Sequence, residues 1–137
     1  MTRRWATGRY DFLTDAADDT TQWDEREGAP RLEEMQALGR YSGDIEADAT
    51  GRSLVARLSD GGGVVTSITR VVGSLDGRSG SFVLRHEGTR KPTTWEGSQW
   101  VIPGSGTGGL AGLRGEGDWL YQHDANDYSW TLDYWFE

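Results

Sequence analysis

A chain of 137 residues with 22 acidic against 14 basic side chains and a net charge of −8 can sustain one core but has the wrong sign for tracking a phosphate backbone, so one domain over 1–137 and no nucleic-acid partner are expected. The absence of cysteine removes disulfides, thiol nucleophiles and thiolate metal sites. No apolar run approaches the ~20 residues of a membrane-spanning helix, and no hydrophobic segment follows the charged start MTRRWATGRYDF, so the expectation is a cytoplasmic, unprocessed protein with no membrane partner.

Residues 5–13 (WATGRYDFL) read as a first strand whose apolar face carries Tyr10 and Phe12. The stretch 15–38 is acidic at its start, contains Pro30 and lacks β-branched runs, which predicts a surface connection with a short helical turn over 31–38. Seven more strands follow: 39–47 (GRYSGDIEA), 53–59, 64–72, 81–87, 93–102, 110–122 and 127–136 (DYSWTLDYWF). Fifteen of the twenty glycines lie between Gly61 and Gly117, mostly between these apolar runs, as tight turns between antiparallel neighbours require. Short separators favour consecutive hairpins over crossover helices. The expected fold is all-β: a single antiparallel, closed, calycin-like barrel of about eight strands, enclosing a lumen for one small ligand.

Seven Trp, five Tyr and three Phe supply either a rigid core or the wall of an apolar pocket. In the last strand Trp130, Leu132, Tyr134 and Phe136 alternate with Thr131, Asp133 and Trp135, so the first set faces inward and Trp135 faces out as a candidate subunit contact. Trp100 shares a face with Ile102, and Trp95 shares the other with Val101; periodicity alone leaves open which side is inside. His86 shares a face with Phe82 and Leu84, and reads either as a structural histidine with one hydrogen bond or as a proton acceptor. His123 sits in a turn beside Asp124. Two isolated histidines lack ligand spacing, and no metal site is expected. Asp44 with Glu46, and Glu116 with Asp118, are same-face carboxylates; Glu46 could reach Arg70 or Arg114 as an internal ion pair or as half of an acid-base pair. PGSGTGG lacks the GK[ST] ending of a phosphate loop and reads as a hairpin turn, and Ser79, Ser81 and Ser105 have no nucleophile-elbow context.

SGDIE (42–46), RVVGSLDGRSGSFVLRHEG (70–88), VIPGSGTGGLAGLRGEG (101–117) and LDYWFE (132–137) resemble a bacterial family known mainly as a domain of unknown function, whose members resemble the allene oxide cyclase barrel. The resemblance covers roughly 39–137 and implies an antiparallel, usually oligomeric barrel with no settled activity. Some proteins sharing that barrel fold a reactive polyene or epoxide for ring closure, including pericyclic closures in polyketide biosynthesis. In the family pattern a Trp and an acidic residue follow the first strand and a Glu precedes the arginine of an ERVTG-like strand; Asp15, Ala17 and Thr69 stand in those places here.

Two functions follow as expectations. The first is a cofactor-independent cyclase or isomerase that folds an apolar polyene or polyketide-like molecule for ring closure, with His86, Arg70, Glu46 and Tyr134 as its chemical groups and Tyr10, Phe12, Tyr41, Ile68, Phe82, Leu84, Trp100 and Trp130 as its substrate wall. The second is a barrel that binds or carries an apolar small molecule without turnover. No cofactor is called for in either, and a homo-oligomer, dimer or trimer, is expected in both.

Overall fold

The computed structural model describes residues 2–13 and 20–137. Ten strands follow one another: β1 (Arg4–Phe12), β2 (Thr20–Gln22), β3 (Arg31–Gly43), β4 (Ile45–Arg57), β5 (Gly63–Leu75), β6 (Arg78–Arg90), β7 (Thr94–Val101), β8 (Thr107–Gly108), β9 (Leu113–Gln122) and β10 (Asp127–Phe136). One 3-10 turn, His123–Ala125, joins the last two long strands. All pairings are antiparallel, and because β1 bonds β10 on one side and β3 on the other, the order β1-β10-β9-β7-β6-β5-β4-β3 returns to itself as an eight-stranded barrel. Closure leaves the barrel strands no free edge along which to aggregate. β2 covers Glu33 to Met35 of β3, before β1 takes over that edge at Gly39, and β8 covers Gly80 and Ser81 of β6 below the reach of β7.

The all-β barrel expected from the sequence is the observed fold, but three local readings are corrected. Residues 31–38 form no helical turn: they begin the thirteen-residue β3, paired with β4 from Arg31 through Tyr41. RLEEMQAL is rich in helix formers, and eleven cross-strand positions override that weak local preference. The rest of the expected connection holds β2 at Thr20–Gln22, while 15–19 lies outside the described residues. Residues 39–47 are not one strand, because Gly43, at φ 101°, and Asp44 turn the chain from β3 into β4. Asp44 caps that turn at the barrel seam, its carboxylate accepting from the Thr7 amide at 2.9 Å while its own amide donates to the Thr7 carbonyl at 3.0 Å. Finally, 49–52 is no separator: β4 runs through it with Gly51 facing inward. The β5–β6 turn falls at Asp76–Gly77, both with positive φ, a pairing that two-residue hairpins favour.

Along each long strand alternate side chains enter the barrel. One end is packed solid by Ile45, Leu75, Phe82, Leu84, Leu110 and Leu132, all at most 1% exposed. The PGSGTGG segment, expected to be a hairpin turn, does join the antiparallel neighbours β7 and β9, and it also folds beneath this end to bring Leu110 into the core. It is pinned there by Ser105 Oγ accepting from the Val83 amide at 3.1 Å and by the Gly109 amide donating to the Ser79 carbonyl at 2.7 Å. The opposite end stays open. The barrel is therefore a cup with one mouth. Among the described residues, no helix is long and apolar enough to cross a membrane.

Candidate functional site

The cup holds a cavity of about 680 Å³, inside the range of about 300–1,000 Å³ that accepts a drug-sized molecule. Its two halves differ. In circular order β9, β10, β1 and β3 make one half, and these strands send in Trp119, Tyr121, Tyr128, Tyr10, Phe12 and Tyr41. The rings interlock: Trp119 stacks on Tyr128 at 5.8 Å and 10°, and Tyr10 meets Phe12 and Tyr41 edge-on, both at 4.9 Å. Trp119 is further fixed by its Nε1 donating to the Ser98 carbonyl at 3.1 Å. The floor of Gly88 makes room for that indole, since a Cβ there would run into Cζ2 of Trp119 and come within 2.6 Å of the Glu96 carbonyl. Burial raises the phenol of Tyr10 to about 12 and that of Tyr41 well above its ordinary range, with Tyr128 and Tyr10 adding repulsion at Tyr41, so these phenols are neutral across the physiological range.

The other half, β4 to β6, mixes Val55 and Val65 with polar side chains. Register places Ser53 opposite Ser67, Ser67 opposite His86 and His86 opposite Gln99, a continuous row across four strands. Ser53, Ser67, Thr69 and His86 all line the cavity, and among the described residues the hydroxyls of Ser53 and Ser67 make no hydrogen bond to protein. His86 is 5% exposed with neither ring nitrogen in a well-formed hydrogen bond. Burial drives its pKa down to about 4, opposed by the neighbouring Gln99 side chain, so the imidazole is neutral at pH 7. Gln99 gives its amide N–H to the Thr131 carbonyl at 2.8 Å, which leaves its own carbonyl oxygen for the His86 side. At the mouth, Arg57 is the charged side chain among the described lining residues, with its Nε on the buried carboxylate of Glu33 at 2.6 Å. Arg31 holds the other oxygen of Glu33 at 3.0 Å. Among the described residues no cluster of His, Asp and Glu is placed to hold a metal.

Of the residues singled out from sequence, the fold brings His86, Tyr10, Phe12 and Tyr41 together in this cavity. Phe82, Leu84 and Trp130 lie in the packed core rather than on the cavity wall, Trp130 with its Nε1 donating to the Arg9 carbonyl at 3.0 Å. Tyr134 is at the closed end, its hydroxyl donating to Asp76. Four others face outward. Arg70 and Glu46 are exposed on the outer wall, where Glu46 accepts from the Gly43 amide at 3.1 Å and lies 3.9 Å from Arg40; neither Arg70 nor Arg114 is its partner. Ile68 is 55% exposed, and Trp100 lies under the Arg85 guanidinium, 4.5 Å from the ring centroid, on the outer face of β7. Sequence reading passed over Ser53, Ser67, Trp119, Tyr121 and Tyr128, and the face of Trp95 that it left open proves to be the cavity side. Tyr128 was within reach, since it continues the inward alternation of Trp130, Leu132 and Tyr134 by one step. Nothing local marks Ser53 and Ser67.

The fold is thus a closed antiparallel barrel with one sealed end, a ring-lined cavity at the other and a row of polar side chains on one wall. The chain belongs to the family described as "Protein of unknown function (DUF3224)", which matches residues 6–134. It is similar to the crystal structure of a protein with unknown function from that family from Shewanella oneidensis MR-1: 28% identity over 99% of each chain, with a TM-score of 0.79. No curated protein matches the chain.

Proposed function

We propose that this protein binds an apolar, drug-sized small molecule in the cup. The observation that carries the reading is the contrast between the two ends of one barrel: seven aromatic side chains line a cavity of about 680 Å³ at one end, while the other is filled by buried side chains such as Ile45, Leu75, Phe82, Leu110 and Leu132. A barrel built only for stability gains nothing from leaving a cavity of that size unfilled. The test is titration with the neutral fluorophore N-phenyl-1-naphthylamine. Saturable binding at one site per chain is expected. Ser67→Trp, which fills the cup, abolishes it, and Ile68→Trp, one residue along but on the outer wall, leaves it intact. Absence of saturable uptake by the folded wild-type protein overturns the reading.

A second reading, a cofactor-independent cyclase or isomerase that folds a polyene or polyketide-like chain for ring closure, Diels–Alder closures included, is favoured by one observation: the neutral imidazole of His86 at the wall of the cup, with neither ring nitrogen in a well-formed hydrogen bond. Holding a flexible chain in a near-attack conformation can contribute about 7–11 kcal/mol without an acid or base. Turnover of a linear polyene into a cyclic isomer, lost in Ser67→Trp, supports it; tight binding with no product leaves the binding barrel alone.

A further inference from the structure

We propose that the molecule received by the cup is a flat, ring-bearing compound with hydroxyl groups along one edge, its rings laid on the aromatic half and its hydroxyls on the Ser53–Ser67–His86 row. This rests on the reading of the barrel as a small-molecule cup and adds the chemistry of the occupant. The two halves of the wall make opposite demands. Stacked and edge-on rings on β9, β10, β1 and β3 offer π-faces that a planar ring system matches at low entropic cost. The facing row offers two serine hydroxyls, each donor and acceptor, beside a buried imidazole that lacks a well-formed hydrogen bond. A pure hydrocarbon filling the cup would strip water from the two serine hydroxyls and return nothing, which is the unfavourable case for any buried polar atom.

Charge narrows the class further. His86 is neutral at pH 7, so it offers no positive charge to a carboxylate at this depth. Arg57 at the mouth is committed to the Glu33 carboxylate, so the described lining offers no unpaired charge to an ionic ligand. A neutral, hydroxylated aromatic meets every one of these conditions.

The experiment compares three probes of one shape: 3,5-dihydroxystilbene, its dimethyl ether and trans-stilbene, titrated against wild type, Ser67→Ala and His86→Leu. For wild type, the diol is expected to bind at least about tenfold more tightly than stilbene or the ether, the scale of one buried hydrogen bond left unmade. Ser67→Ala, which removes one oxygen from an open wall and does not threaten folding, reduces that preference, and His86→Leu reduces it further. Equal affinity for all three probes in wild type, or a diol preference unchanged in both variants, overturns the hydroxyl-edge inference while the cup remains a binding site. No binding of any probe overturns the cup itself.

Discussion

An imidazole buried without a well-formed hydrogen bond leaves a pH signature. His86 is held down to about 4 by burial, against an ordinary value of 6.5. Above pH 6.5 neither the folded nor the unfolded chain protonates it, and stability does not depend on it. Between 6.5 and 4 the unfolded chain takes up the proton and the folded one does not, so stability falls as pH falls, levelling off below 4. From the difference between those values, wild type is expected to lose about 3 kcal/mol relative to His86→Leu between pH 7 and pH 4, read from urea unfolding of both proteins at each pH. Parallel pH profiles would show that the ring is solvated. Tyr134 makes the opposite point. Its phenol, raised to about 12 by burial and by the hydrogen bond to Asp76, sits at the sealed end, away from the cavity lining. Tyr134→Phe is expected to cost about 1 kcal/mol in unfolding free energy and to leave probe affinity within about twofold. A loss of binding in a fully folded Tyr134→Phe would tie the two ends of the barrel together.

At the level of elements, the strands differ in how plainly they announce themselves. β10 is legible because all its inward residues from Trp130 are large and apolar, and its outward ones are Thr131, Asp133 and Trp135. β5 is not: Val64, Ile68 and Val72, each more than half exposed, are as apolar as Val65 and Val71 within, while Ser67 and Thr69 face the cavity. A face chosen by hydrophobicity therefore selects the wrong side, which is how Ile68 came to be expected in the lumen. β3 is concealed by helix-forming composition and by the inward Glu33, which the fold tolerates because Arg57 and Arg31 each take one of its oxygens. The pairing of β6 with β7 and the seat of Trp119 depend on Gly88. Gly88→Ala is expected to destabilise by about 1–3 kcal/mol and to weaken probe binding, because the indole must leave its place in the wall; denaturant melts and probe titration together check this. Full stability with unchanged binding would mean that the wall is soft.

For the molecule as a whole, the outer surface bears on the expected dimer or trimer. Trp135 is half-buried, with the Arg3 guanidinium 4.2 Å from its ring centroid, and Trp5, on the neighbouring strand, is 63% exposed. Self-association through this strip is expected to show as a dimer or trimer by light scattering, with Trp5→Glu shifting the protein to monomer. A wild-type monomer at high micromolar concentration would remove the expectation. What the sequence by itself determined was the set of local instructions: turns such as Asp76–Gly77, the inward alternation of β10, the aromatic content, and a strand pattern that only a barrel can close. Which end of the barrel is open, the use of the PGSGTGG segment as a plug, and the assembly of Ser53, Ser67, His86 and Gln99 into one row were decided by tertiary structure alone. The reason is physical. A period of two tells which residues share a face of a strand, but the choice of face and the height of each residue in the barrel are set by register with strands far away in the chain, and a slip of one residue would turn the row outward.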